Sequence, residues 1–307
     1  LKQIGLALHN FHDTHNRFPA GMGLPRDAQP DTPASGSDPA VSQAGTRRRG
    51  PSWMAYLLPY MDLQSLANEL ASYTTVGETG TSHVASVQVQ FAQKITSNAT
   101  LQLVASKQIP SYLCPSGLNT QLTTWGYATA SYAGVYGWGG GWGFFDLEGQ
   151  YRRIGDITDG LSYTIAVGEA GAYANGNSSY LPSYTQQPQW IGSPHGTWYS
   201  TLRYIHPHNS YSAINGPSSA AFQSAHGGGM FVLAGDGAVH WLSDSIDPIP
   251  YLSLGSIRQL QNIDMASYAS NSSYNNIQNP QLFWKPSVHP SYPNRFDEIQ
   301  ATWDDVN

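Results

Sequence analysis

The sequence predicts an α+β protein, with one N-terminal helical region followed by a mostly antiparallel β region. Three observations predict it. Leu1, Ile4, Leu8 and Phe11 recur at helical spacing at the start of the chain. From Ser111 onward, short β-branched and aromatic runs alternate with Gly-rich turns. Near the end, Asp236-Gly237 separates two apolar runs, the signal of a two-residue hairpin turn.

The helix comes first. Gln3, Asn10, Asp13 and Thr14 fall off the apolar stripe of residues 1–15. Leu1 is already in phase and no capping residue precedes it, so the helix is expected to begin upstream. Asn16 and Pro19 end it, because a residue before proline avoids the α region. Residues 21–50 read as a long loop rich in Pro, Gly, Ser and Asp, closing on a solvated basic triplet, Arg47, Arg48 and Arg49. Residues 52–58 read as a short helix, broken at Pro59, and Leu63, Leu66 and Leu70 start a second one.

Residues 81–91 and 99–109 are β-branched and partly alternating, and fit either a strand or a short helix. Tyr112-Leu113-Cys114 reads as a strand end. Residues 127–136 alternate small and aromatic side chains, and 137–143 form an aromatic, Gly-rich turn. Residues 163–169, 230–234 and 238–242 read as strands. Residues 173–219 and 268–293 are low in charge and rich in Asn, Ser, Pro and Tyr, and are expected as ordered excursions from the core. The chain divides into 1–20, the end of a helix; 21–265, a β-rich head; and 266–307, a C-terminal extension.

Composition narrows function. The 307 residues carry 14 Lys+Arg and 20 Asp+Glu, a net charge of −6. Charged residues are 11% of the chain, against about 25% in an ordinary soluble domain. The mean hydropathy of −0.35 therefore comes from uncharged polar residues. So few cations exclude a nucleic-acid binder, which needs clustered Lys and Arg. The 9 Trp, 19 Tyr and 9 Phe exclude a long disordered chain. A single Cys excludes an intrachain disulfide and a zinc site built from several cysteines. No run of 18 apolar residues is present.

Four stretches, in order, carry a resemblance. The first is Leu1-Lys2-Gln3-Ile4-Gly5-Leu6-Ala7-Leu8-His9-Asn10-Phe11-His12-Asp13 with Arg17-Phe18-Pro19. The second is Ser52-Trp53 with Leu57-Leu58-Pro59-Tyr60, then Leu113-Cys114-Pro115-Ser116. The third runs from Asp156-Ile157-Thr158-Asp159-Gly160 to Val167-Gly168-Glu169. The fourth is His226, nine residues, then Asp236-Gly237, with Val239, Trp241 and Leu242. Together they resemble bacterial prepilin-like proteins with a His–nine-residue–Asp-Gly signature. These are similar to the major pseudopilins of type II secretion, and are sometimes labelled solute-binding-like domains of unknown function.

The resemblance covers residues 1 to about 255. It implies a prepilin-type leader and an apolar helix running into Leu1, and a pilin fold with one long helix packed on an antiparallel sheet. It further implies export to the envelope or the extracellular space and assembly with copies of the same chain, with membrane contact only through the upstream helix. The chain departs from the pattern after about 265, and near Tyr180 and His206.

Candidate residues follow. His226, with Gly227 to Gly229 behind it, could lie near the Asp236-Gly237 hairpin, as a ligand contact or simply as architecture. Asp156, Asp159 and Glu169 are hard oxygen donors on loops that could hold calcium, as major pseudopilins do. They also suit turns and caps. His9, His12 and His15 lie too far round the helix to converge on a metal and read as a polar face. His195, His206 and His208 are loop histidines. Cys114 reads as a small buried apolar residue, or as one half of an intermolecular disulfide. Leu1, Ile4, Leu8 and Phe11 are expected to pack the helix. Trp53, Trp138 and Trp142 are expected in head packing or subunit contact. Asn98, Asn177 and Asn271 match the N-glycosylation pattern.

No nucleophile elbow, phosphate loop or dinucleotide fingerprint occurs. The expected function is a non-enzymatic, self-assembling pilin-like subunit. The alternative is a cell-surface module that binds carbohydrate.

Overall fold

A computed structural model describes residues 1–23, 50–74, 98–117, 122–123, 125–137, 142–146, 151–171, 187–192, 200–205, 213–216, 221–246 and 248–257. Outside them lie Trp138, Asn177, Asn271, His195, His206, His208, the Arg47 to Arg49 triplet and the 266–307 extension. Among the described residues no helix is long and apolar enough to cross a membrane. The fold is mixed α+β.

Helix α1 (Lys2–His15) buries Ile4, Gly5, Ala7, Leu8 and Phe11. It stops where Asn16 turns left-handed, φ 54°, and donates its N–H to His12 O. Helix α2 (Trp53–Leu57) starts at Ser52, whose Oγ accepts from Ala55 N at 3.1 Å. Leu58–Met61 continues it as a 3₁₀ turn holding Pro59, and Asp62 (φ 59°) ends the turn before α3 (Gln64–Thr74). The expected helix–proline–helix pattern is therefore present. Residues 99–105 resolve the strand-or-helix ambiguity as helix α4 (Ala99–Ala105). Its first turn is capped by Asn98, whose Oδ1 accepts from Leu101 N at 3.1 Å. One of the three glycosylation-pattern asparagines is thus engaged as a helix cap.

The sheet has five strands: β1 (Tyr132–Gly137), β2 (Ile165–Glu169), β3 (Leu202–Tyr204), β4 (Gly229–Ala234) and β5 (Val239–Ser243). Their spatial order is β3-β1-β2-β4-β5. All pairs are antiparallel except β1 with β3. Side-chain alternation, with a register shift in β2 between Ile165 and Val167, splits the strands between two cores. Val167 and Leu233 face Ile4, Leu8, Phe11, Trp53 and Tyr112 on the helical side. Val135, Ile165, Met230 and Val232 face Phe222, Leu252 and Leu254 on the other. Both faces are covered, so every residue of β1 and of β2 is buried. The second cover includes helix α5 (Pro248–Leu254), whose prolines occupy the first turn, where the missing N–H has no intrahelical partner to lose.

Three local readings are corrected. Tyr112 to Cys114 is not a strand end: Pro110–Tyr112 is a 3₁₀ turn, set by proline at its start. The β4–β5 turn has three loop residues, not two. Ala234 N bonds Ala238 O at 2.9 Å and Gly237 N bonds Ala234 O at 3.0 Å, with Gly237 left-handed at φ 86°. Residues 173–219 are not only excursions, since β3 lies within them and extends the sheet edge beside β1.

Candidate functional site

The two ends of β4 hold different structures. At its turn end the β4–β5 hairpin meets α1. His9 Nε2 donates to Gly235 O at 3.0 Å, and Lys2 Nζ donates to Gly237 O at 3.2 Å. Gly5 makes the approach possible: a Cβ there would lie 3.0 Å from Leu233 Cδ1 and 3.1 Å from Gly237 Cα. Asp236 belongs to the turn itself, accepting from Ala238 N at 2.8 Å. Partial burial opposes its charge, but the Ala238 amide, the Ser162 hydroxyl and nearby His240 hold its carboxyl below the usual range.

At the other end, His226 stands three residues ahead of β4. Its ring packs edge-on against Phe231 at 5.3 Å and Trp241 at 6.2 Å. Beside it is Glu169, the last residue of β2, only 3% exposed. Glu169 Oε2 accepts from Ser224 Oγ at 2.7 Å and from Phe231 N at 3.0 Å. Ser224 Oγ also accepts from His226 N at 3.1 Å. With Oε2 fixed, Oε1 lies 3.4 Å from His226 Nε2.

The third member is Cys114. Pro115 and Gly117 form a tight turn after it, in which Gly117 N donates to Cys114 O at 2.8 Å. Cys114 Sγ lies 3.7 Å from His226 Nε2. Burial pushes the Cys114 thiol above its usual range and the Glu169 carboxylate adds to this, while the Ser116 and Gly117 amides that face the sulfur oppose it. The donor atoms of Cys114, Glu169 and His226 all lie within 4.8 Å of one another. The adjoining cleft, lined by Ser131, Gln223 and Ser224 among others, has about 10 Å³ for the centre of a water-sized group. That is room for about one water.

This geometry does not make an activated cysteine. A Cys–His pair needs the acid at the second ring nitrogen, to orient the imidazole. Here Sγ and Oε1 face the same Nε2, and the thiol is raised in pKa where a nucleophile needs it lowered. What remains is a convergent set of one sulfur, one nitrogen and one oxygen donor.

The other sequence-derived residues fall elsewhere. His226 and Asp236 do not meet, since the extended strand β4 separates them by about 20 Å at roughly 3.4 Å per residue. Asp156 closes a 3₁₀ turn, accepting from Arg153 N at 2.7 Å, and Asp159 is 8% exposed and donates its N–H to Ile257 O. Among the described residues these two form no cluster with Glu169, whose partners are Cys114 and His226. Trp53 is fully buried, stacked 5.2 Å from Phe145, and its Nε1 donates to Thr201 O. Trp142 is half-buried against the α5-side core. Ile4, Leu8 and Phe11 are covered by the head of the same chain, and Leu1 is half-buried beside them. The stripe is therefore not a free surface for another copy.

Sequence reasoning treated Cys114 as core and Glu169 as a loop ligand, and so missed their convergence. Cys114 and His226 are 112 positions apart, beyond the reach of any spacing rule. A signal did exist: each residue lies in a different one of the stretches that carry the family resemblance.

Fold and site together define an α+β protein in which one helix is clamped to a hairpin turn and a part-buried Cys–Glu–His cluster, built on the buried Glu169, lies at the far end of the same strand. The family model described as "Protein of unknown function (DUF1559)" matches residues 1–249, and the chain belongs to that family. The matched span contains α1, all five strands and the three cluster residues. No curated protein matches the chain, and neither does any solved structure.

Proposed function

We propose that this chain is the head and helix end of a pilin-like, non-enzymatic subunit, which assembles with copies of itself at the cell envelope or outside the cell. The observation that carries this reading is one N-terminal amphipathic helix whose apolar face packs on α2, the Leu58–Met61 turn and β4 of a mainly antiparallel sheet. The resemblance to prepilin-like proteins supplies the assembly and export terms. The low charge supports it as well: a net −6 recurs on every copy, and denser like charge would oppose close packing.

Because the α1 stripe packs on its own head, contact between copies would use outer surfaces. Leu6, on the solvent side of α1, is 64% exposed. A carbohydrate-binding reading finds less support from the 138–145 aromatic run, in which Phe144 and Phe145 are buried, although Trp125 elsewhere is 45% exposed. The test is electron microscopy of the native full-length protein. Filaments or a regular lattice are expected, and Leu6→Glu should reduce assembly while leaving the melting temperature unchanged. A full-length product that stays monomeric at every concentration contradicts the proposal.

A further inference from the structure

We propose that Cys114, Glu169 and His226 form a binding site for one divalent transition-metal ion of the zinc class, which pins together the turn after α4, the end of β2 and the segment leading into β4. The distances carry the argument. Zinc takes sulfur at about 2.3 Å and imidazole nitrogen or carboxylate oxygen at about 2.0–2.2 Å, in a tetrahedron. The tetrahedral edges are then about 3.6 Å for sulfur to nitrogen and about 3.4 Å for nitrogen to oxygen. The chain holds Sγ and Nε2 at 3.7 Å, and Nε2 and Oε1 at 3.4 Å.

The surroundings fit the same ion. Ser224 Oγ and Phe231 N occupy Oε2 and leave Oε1 aimed at the shared centre, as outer-shell partners of metal-bound carboxylates do. The amides of Ser116 and Gly117 face Sγ and would steady a metal-bound thiolate. On binding, the ion replaces the Cys114 proton, which leaves to solvent. One sulfur, one nitrogen and one oxygen donor suit zinc better than calcium or magnesium, which take oxygen. Cys114 and Glu169 also line the adjoining cleft, where about one water fits and could supply a fourth ligand. The three segments that the ion would join give it a structural role.

Because Cys114 is the chain's single cysteine, thiol chemistry reports on this site alone. The test uses the reduced, metal-stripped full chain, titrated with zinc against a chromophoric chelator and then alkylated with iodoacetamide. One equivalent of zinc is expected, with alkylation of Cys114 strongly slowed by zinc and unaffected by magnesium. Cys114→Ser and His226→Gln should lose the equivalent. Ser224→Ala touches no donor atom, and should weaken zinc binding by about 10–100-fold as an outer-shell change. If a donor variant fails to fold, the wild-type titration and the alkylation rate still decide. Substoichiometric binding, or one equivalent that leaves alkylation unchanged, overturns the proposal.

Discussion

Single residues show how position decides the use of a side chain. The three histidines of α1 were legible as a non-converging polar face, but their partners were not, because those partners come from distant segments. His9 bonds Gly235 O. His12 packs 4.8 Å from Phe18. His15 packs 4.3 Å from Phe11 and shares a hydrogen bond with Tyr60. Burial pushes both His12 and His15 below the ordinary 6.5, with Asp13 opposing at His12 and Arg17 reinforcing at His15. As pH falls, the unfolded chain takes up these protons first. The stabilising effect of neutral imidazoles is therefore complete above the ordinary value, and is lost as pH drops through it toward the depressed native values. The melting temperature should fall from about pH 7 to about pH 5, and His12→Gln/His15→Gln should flatten part of that slope. A double variant with the wild-type slope contradicts this assignment.

At the level of elements, the His–nine-residue–Asp-Gly spacing gains a physical meaning. It is the length of one strand with its two approaches, so that a single segment serves both the α1 clamp and the Cys–Glu–His cluster. At Gly5 the helix backbone leaves no room for a Cβ beside the hairpin. Gly5→Val adds volume against Leu233 and Gly237 backbone. It should cost about 1–3 kcal/mol, as overpacking does, measured by denaturant unfolding. Gly5→Val with wild-type stability would show that α1 does not depend on this contact.

The elements differ in how readable they were. α1 showed as an apolar stripe, the α2–α3 break as a proline, and β4–β5 as two apolar runs around Asp-Gly. β3 did not, because three residues are too few for any periodicity. α5 did not, because its two prolines argue against a helix unless they fall in the first turn. β2 showed as the apolar run 163–169 and β1 overlaps the alternating run 127–136, although both strands are buried on both faces. The Cys114 turn was misread because its apolar neighbours resemble a strand, while Pro110 and Pro115 set a turn on either side.

In the whole molecule, two of the junctions between the helical layer and the sheet lie at opposite ends of β4. α1 is clamped to the β4–β5 turn, and the segment after α4 reaches the ends of β2 and β4 through Cys114, Glu169 and His226. A metal at the second junction would hold the two layers of a subunit whose proposed work is to stand beside copies of itself. Low charge, 11% of residues, suits that crowding, and was readable from composition alone. The junction was not, because it exists only once the sheet has brought three distant segments together.

X-ray absorption at the zinc edge, on the zinc-loaded full-length protein, tests this junction most directly. One sulfur at about 2.3 Å with nitrogen and oxygen neighbours at about 2.0–2.2 Å is expected. A shell of nitrogen and oxygen alone would contradict it, since the chain's one sulfur-bearing cysteine would then stand outside the site.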